Sequence, residues 1–270
     1  MISKKFLNNN FSFVGFVLLL IILVIVVLII INLGKKKEKI AYNYGCGDDY
    51  PVIGVVGGSG KSLCVDIISD VMRDKYKVGK LNQQGVSVDN QWKQFSALTV
   101  DEMRVHHSID AAVVCLSTNV IKESALGLNK CDVGIFLNNK DPYKTMEYYS
   151  KLYEQICQNG CAILNCDDDY YYYLKKIIPM MRCKIIFFSH NKNSDLLKEA
   201  TQKNYPNVYF ENNKIIFRDK NNKHIFSLKD NYRKRNDIEA TMAAIACCMY
   251  MNLDIDRIKE RCNCDYVKVQ

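Results

Sequence analysis

An α/β fold, built on a mostly parallel sheet with helices on both faces, is what the sequence predicts for residues 51–270. Two observations predict it: short apolar runs alternate with amphipathic ones from Val52 onward, and a glycine turn, Gly57-Gly58-Ser59-Gly60-Lys61-Ser62, joins the first of each kind. A third observation adds a small antiparallel ribbon near the C-terminus, because after Asn204 the runs shorten and alternate with asparagine-rich turns.

The apolar runs Val52–Val56, Val78–Leu81, Ala111–Leu116, Val133–Leu137, Ala162–Leu164 and Lys184–Phe188 read as buried strands. Between them Leu63–Arg73, Thr145–Cys157, Tyr170–Met181 and Asp195–Gln202 read as helices. Strands of this kind, continuous in apolar residues and separated by helices, form parallel sheets covered on both faces. Val208–Phe210, Lys214–Arg218 and His224–Leu228 are the ribbon, interrupted by Glu211-Asn212-Asn213 and Lys220-Asn221-Asn222-Lys223, which are turn compositions. An apolar helix at Asn236–Met251 and a second beginning at Ile255 follow.

The glycine turn makes the sheet P-loop-type. Glycines let consecutive backbone N–H groups converge on one anion, the helix that follows points its positive end at that anion, and Lys61 adds a full charge. A lysine at a helix start is unfavourable unless something anionic sits before it. Ser62 is placed to offer its hydroxyl to a magnesium ion. The strict pattern asks for a further glycine where this chain has Val55.

Phe11–Leu33 is a nearly unbroken apolar stretch that ends in Gly34-Lys35-Lys36-Lys37-Glu38-Lys39. As a helix it would reach about 34 Å, enough for a hydrocarbon core of about 30 Å. It is longer than the apolar part of a signal peptide and ends in lysines, so the expectation is one uncleaved transmembrane anchor. The chain then divides into a tail at 1–10, an anchor at 11–33, a basic juxtamembrane linker at 34–50 and the α/β domain at 51–270. Lysines on the C-terminal side of the span outnumber Lys4 and Lys5, which places the domain in the cytosol of a single-pass membrane protein.

Apolar residues make up 49% and charged residues 24% of the 270-residue chain, which excludes wholesale disorder. The net charge of +8 owes something to the juxtamembrane lysines and, without zinc-finger spacing or arginine–aromatic interleaving, does not by itself imply a nucleic-acid partner. The 12 cysteines lack paired CxxC spacing and read as small core residues with reduced thiols. His106, His107 and His190 have no partner at ligand spacing and read as surface positions, and Tyr170–Tyr173 as packing on the sheet.

Four stretches, in order, carry a resemblance. They are the glycine turn; Asp110-Ala111-Ala112-Val113-Val114 leading to Leu126-Gly127-Leu128-Asn129-Lys130-Cys131-Asp132-Val133-Gly134; Ala162-Ile163-Leu164-Asn165-Cys166-Asp167-Asp168; and Arg235-Asn236 with Glu239 and Ala243-Ala244. Together they resemble the central ATP-binding domain of the Mur ligase family, in particular its cyanophycin synthetase branch. The resemblance implies a nucleotide site at Gly57, Gly58, Ser59, Gly60, Lys61, Ser62, Asn165, Arg235 and Asn236, with ATP and Mg2+ as cofactors. It also implies ATP-driven joining of a carboxylate to an amine.

Departures fall where that chemistry needs metal ligands. Cys115 stands where the family has a magnesium-binding glutamate, Ser117-Thr118-Asn119-Val120 replaces a glycine-rich stretch, and Asn138-Asn139-Lys140-Asp141-Pro142-Tyr143 lacks the family's histidine. Leu63 and Arg235 replace a hydroxyl residue and a histidine. A thiol is a poor partner for magnesium, which leaves Ser62 and Asp141 as candidate metal ligands. Asp167, Asp168 and Asp169 read equally well as caps of the helix starting at Tyr170. The chain also ends before the family's C-terminal domain would fit, so a partner chain is expected to supply it if ligation survives. The sequence reading is therefore a membrane-anchored nucleotide-binding domain with reduced or lost ligase activity. Its alternatives are an active amide ligase completed by a partner and a membrane adaptor that keeps only the fold.

Overall fold

The computed structural model of the protein describes residues 50–82, 85–88, 91–93, 108–116, 131–138, 149–150, 152–167, 176, 178–229 and 234–269. The compact unit that holds them runs from Asn43 to Gln270. Its strands are β1 (Val52–Val56), β2 (Val78–Asn82), β3 (Gly85–Val88), β4 (Gln91–Lys93), β5 (Ala111–Cys115), β6 (Cys131–Phe136), β7 (Ile156–Asn165), β8 (Lys184–Ser189), β9 (Asn207–Glu211), β10 (Lys214–Arg218), β11 (Lys223–Leu228) and β12 (Cys264–Val269). Helices among the described residues include α1 (Lys61–Met72), α2 (Asp195–Gln202), α3 (Arg235–Tyr250) and α4 (Ile255–Arg261), with residues 149–150 and 152–155 also helical.

Among the described residues the strands form one 12-stranded sheet in the order β12-β11-β10-β9-β8-β7-β6-β1-β5-β2-β3-β4. Its middle, from β2 through β9, is parallel. Antiparallel additions flank it, β2-β3-β4 on one side and β9 to β12 on the other. The apolar runs form strands because they are buried on both faces: β1 and β5 are buried at every residue. Parity separates the faces. Val52, Val56, Ala112, Val114, Ala162 and Leu164 share a cluster with Leu152, Leu196, Leu197 and Ala200. The opposite face is covered by α1 and α3, which pack on each other and on β1, β2, β5 and on β7, β8, β9 respectively.

The strand order reverses around β1. The chain leaves β1 through α1 to reach β2, and returns to place β5 and β6 on its two sides. In open sheets a ligand crevice forms beyond the carboxyl ends of strands at such a reversal. The amino ends are stapled instead: Val52 N–H donates to Asp132 Oδ2 at 2.7 Å, and the Cys131 thiol donates to the Val133 carbonyl at 2.9 Å. Cys131-Asp132-Val133, part of the family-like pattern, is thus a structural clamp away from the crevice.

Several sequence expectations change. The helix expected over Thr145–Cys157 gives way to strand at Ile156, and the expected helix Tyr170–Met181 falls largely outside the described residues, with Ile178–Met180 a 3-10 turn. β3, β4 and β12 were not anticipated. β12 pairs along β11 from Lys223↔Val269 to Leu228↔Cys264, which turns the ribbon into a sheet extension. The turn at Asn212-Asn213 has both residues at positive φ, 49° and 58°, the hairpin geometry that asparagine tolerates.

The transmembrane element of the predicted fold class is corrected. Among the described residues no helix is long and apolar enough to cross a membrane. The most thoroughly buried helix, α3, has 16 residues, about 24 Å against the roughly 30 Å of a hydrocarbon core. Its apolar surface is spent on α1 and the sheet. The stretch 11–33, with the tail and the linker to residue 49, lies outside the described residues. The fold class of the described residues is the α/β sheet, and the single-pass, cytosol-facing localisation drawn from the span is withdrawn.

His224 on β11 ties the ribbon together: its Nδ1 lies 2.8 Å from the Tyr266 hydroxyl of β12, and its Nε2 lies 3.7 Å from Asp219. Burial pushes its pKa below the ordinary 6.5, with Asp219 opposing and Lys268 adding to the fall. The folded state therefore binds fewer protons than the unfolded one just below that value, and stability rises with pH through this window. Acidification from pH 7 to below 6.5 is expected to lower the unfolding midpoint. His224→Gln should flatten that dependence, as measured by urea unfolding across the same pH range.

Candidate functional site

β1 ends at Val56, and the chain turns through Gly57 (φ 150°) and Gly60 (φ 82°) before α1 starts at Lys61. Both glycines are required by space as well as by dihedral. A Cβ on Gly57 would lie 2.9 Å from Leu137 Cβ, and one on Gly60 would lie 2.9 Å from the Asn236 carbonyl oxygen and 3.2 Å from Ala240 Cβ. The turn is thereby pressed against the first turn of α3. No side chain caps α1, and the first N–H groups of a helix have no acceptor within it. That end carries the positive pole of the helix. Lys61 folds back over the turn, its Nζ donating to the Gly57 carbonyl at 2.5 Å and to Gly58 at 3.4 Å. The Ser62 hydroxyl is on an exposed residue.

The carboxyl end of β6 meets this turn, and those of β7 and β8 are linked to it through side chains. Asn138, just past β6, accepts at its Oδ1 from Gly58 N–H (3.1 Å) and Ser59 N–H (3.0 Å). Its backbone carbonyl accepts from Gly58 N–H at 2.7 Å and from the Tyr149 hydroxyl at 2.8 Å. Its Nδ2 donates to the Ser59 carbonyl (3.1 Å) and to Glu239 Oε2 (3.2 Å). Glu239, only 3% exposed, uses its other oxygen to accept from Arg235 Nε at 2.7 Å. The Arg235 Nη2 reaches Asp167 Oδ2 at 3.3 Å. Asp167 in turn accepts from His190 N–H at 2.5 Å and from the Ser189 hydroxyl. Glu239, first through its hydrogen bond, holds the Arg235 guanidinium above its ordinary pKa.

The structure therefore brings Gly57–Ser62, Arg235 and Asn236 together. Asn165 lies at the same end, but its carboxamide is consumed internally: Nδ2 donates to the Leu137 carbonyl and Oδ1 accepts from Asp167 N–H at 2.9 Å. Its place is that of a brace between strand ends. Asp141 lies outside the described residues, as do Asp168 and Asp169. Cys115 ends β5 and is buried, and burial pushes its thiol above 9.0 despite the opposing charge of Lys61. It stays protonated at neutral pH. Sequence reasoning missed the roles of Asn138 and Asp167. Both directly follow apolar strands, at the carboxyl ends where such sheets keep their polar groups, and that placement was the available cue.

No group of three or more histidine, cysteine or acidic residues that could hold a metal occurs among the described residues. The described cysteines are free thiols.

A parallel sheet whose first strand runs through a glycine turn into an uncapped helix, at the strand-order reversal, defines a P-loop-type α/β domain. The Mur ligase middle domain matches residues 55–248, and the chain belongs to that family. It is 23% identical over 218 residues to the cyanophycin synthetase of Geminocystis herdmanii, covering 75% of this chain and 24% of that protein. It is 22% identical over 184 residues to that of Crocosphaera subtropica, covering 61% of this chain and 20% of the other. In structure it is similar to UDP-N-acetylmuramoyl-L-alanyl-D-glutamate–2,6-diaminopimelate ligase, with a TM-score of 0.59 at 12% identity over 79% of this chain and 46% of that one. It is also similar to a bifunctional folylpolyglutamate synthase/dihydrofolate synthase with Mn, AMPPNP and L-glutamate bound, with a TM-score of 0.55 at 10% identity over 78% and 57% of the two chains. At these identities the structural likeness shows the fold. The chain spans about a quarter of the curated relatives it matches.

Gly60→Ala places a side chain in a left-handed conformation against the Asn236 carbonyl. It is expected to cost at least about 1–2 kcal/mol, read as a lower urea midpoint at unchanged m value.

Proposed function

We propose that this protein binds an adenine nucleotide, ATP or ADP, at Gly57–Ser62, and that its ligase chemistry is reduced or lost. The observation that carries the reading is the Gly57–Gly60 turn pressed on α3 with Lys61 and the uncapped first turn of α1 behind it. Those backbone N–H groups and that ammonium suit a run of phosphate oxygens. Arg235 and Asn236, at the start of α3, border the same turn.

Magnesium fits this site on one side only. Ser62 offers a hard, exposed oxygen beside the turn, and Asp141 is the second ligand the sequence offers. The end of β5, where the family resemblance implies a glutamate, carries Cys115, a protonated and soft sulfur. Bound magnesium would neutralise phosphate oxygens during transfer. With Cys115 at that position the chain retains groups that hold phosphates and lacks one that would help move them.

Full-length protein titrated calorimetrically with ATP and magnesium is expected to bind, and Lys61→Ala to bind at least about tenfold more weakly, the worth of one charge-assisted hydrogen bond. Absence of both a binding heat and a nucleotide-dependent rise in unfolding temperature in the parent protein would defeat the proposal.

A second reading is an amide-bond-forming ligase completed by another chain. It is supported by the similarity to ligases of which this chain covers about half. ATP turnover that appears only with an added amino acid or peptide and a partner domain would favour it over the first.

A further inference from the structure

Glu239 is a buried carboxylate with neither oxygen turned to solvent or to a ligand: one accepts from Arg235 and the other from Asn138. Charged side chains are seldom buried unless such partners hold them. What Glu239 holds is the orientation of the Asn138 carboxamide. Its Oε2 can accept only from the –NH2 end of that group, so it directs the Oδ1 end at Gly58 and Ser59. Arg235 fixes Glu239 from the other side and is itself anchored on Asp167, whose oxygens also receive His190 N–H and Ser189. A chain of polar contacts therefore runs from the end of β7, through the start of α3, to the end of β6 and onto the glycine turn.

We propose that Glu239 is a positioning residue for the glycine turn: through Asn138 it holds the Gly58 and Ser59 N–H groups on a protein acceptor, and an incoming polyphosphate must compete for them. The competition rests on the nucleotide-binding reading above, whereas the positioning stands without it. Two effects oppose the phosphates. The Asn138 oxygen occupies donors that would face them, and Asp167 and Glu239 together carry two negative charges against the single guanidinium of Arg235. Replacing Glu239 by its neutral isostere weakens both, because the glutamine –NH2 must face either Asn138 Nδ2 or Arg235, donor against donor.

The experiment is amide hydrogen exchange on the full-length chain, with ATP titration alongside. In the parent, Gly58 and Ser59 should exchange slowly. In Glu239→Gln and in Asn138→Ala the Ser59 amide should exchange about tenfold faster, the loss of one ordinary hydrogen bond, whereas Gly58 keeps the Asn138 backbone carbonyl as its acceptor and, with amides in the core of α3, serves as the reference. Fast Ser59 exchange in the parent, or unchanged Ser59 exchange in Glu239→Gln, overturns the positioning role. Asn138→Ala, at a half-buried residue, provides the comparison should the buried substitution unfold the protein. Glu239→Gln should also bind ATP several-fold more tightly; weaker binding with intact folding overturns the competition. Faster exchange in the variants with no ATP binding by any protein upholds the positioning role and rejects the nucleotide reading instead.

Discussion

The close approach of Gly60 to the first turn of α3 is the contact on which the site depends. A left-handed residue without a side chain lets the glycine turn sit against the Asn236 carbonyl and Ala240. On the same helix face Glu239 reaches Asn138 and Arg235 reaches Asp167. α3 can come so close because its surface is small and apolar. From Ile238 to Cys248 it is buried throughout, with alanine at Ala240, Ala243, Ala244 and Ala246. Interiors packed at crystal-like density transmit a displaced backbone to every neighbour, so the turn and the helix behave as one unit.

The sheet separates structure from chemistry along the strand axis. At the amino ends, Asp132 and Cys131 lock β1 and β6 through backbone contacts. At the carboxyl ends, Asn138, Asn165, Asp167 and Ser189 gather around the turn. Parallel strands make this division unavoidable, because all their carboxyl ends lie on one side and the peptide groups there have no further ladder to join. Departures from the family pattern, Cys115, Asn138 and Arg235, also lie at this end. Arg235 and Glu239 together form an ion pair one helical turn apart, which a reading of either residue alone would not reveal.

The core of the fold was legible because its cues are local. Val52–Val56 and Ala111–Cys115 are continuous apolar runs, and buried parallel strands need little else. Edges were harder. β12 carries Asp265, Lys268 and the exposed Val267 and Val269, so its burial gives no clean alternation, and it is a strand because β11 pairs with it. At the other edge β3 and β4 are short, and their pairing closes only through the neighbouring strand. The apolar stretch at 11–33, which length and hydropathy alone read as a membrane span, lies outside the described residues, and among those no helix is long and apolar enough to cross a membrane.

The sequence by itself determined the alternating sheet, the ribbon hairpin and the glycine turn with its lysine, because each follows from periodicity or from dihedral preferences within a few residues. Only the tertiary structure decided that Asn165 braces strand ends, that Asn138 takes the N–H groups of the turn, and that Glu239 stands behind it. The Asn138 contacts join residues 79 and 101 positions apart, and the Asn165–Leu137 brace spans 28; no local pattern encodes which of two carboxamides at two strand ends will face inward. That is settled by the register of parallel strands and by how closely a small-residue helix can approach a glycine.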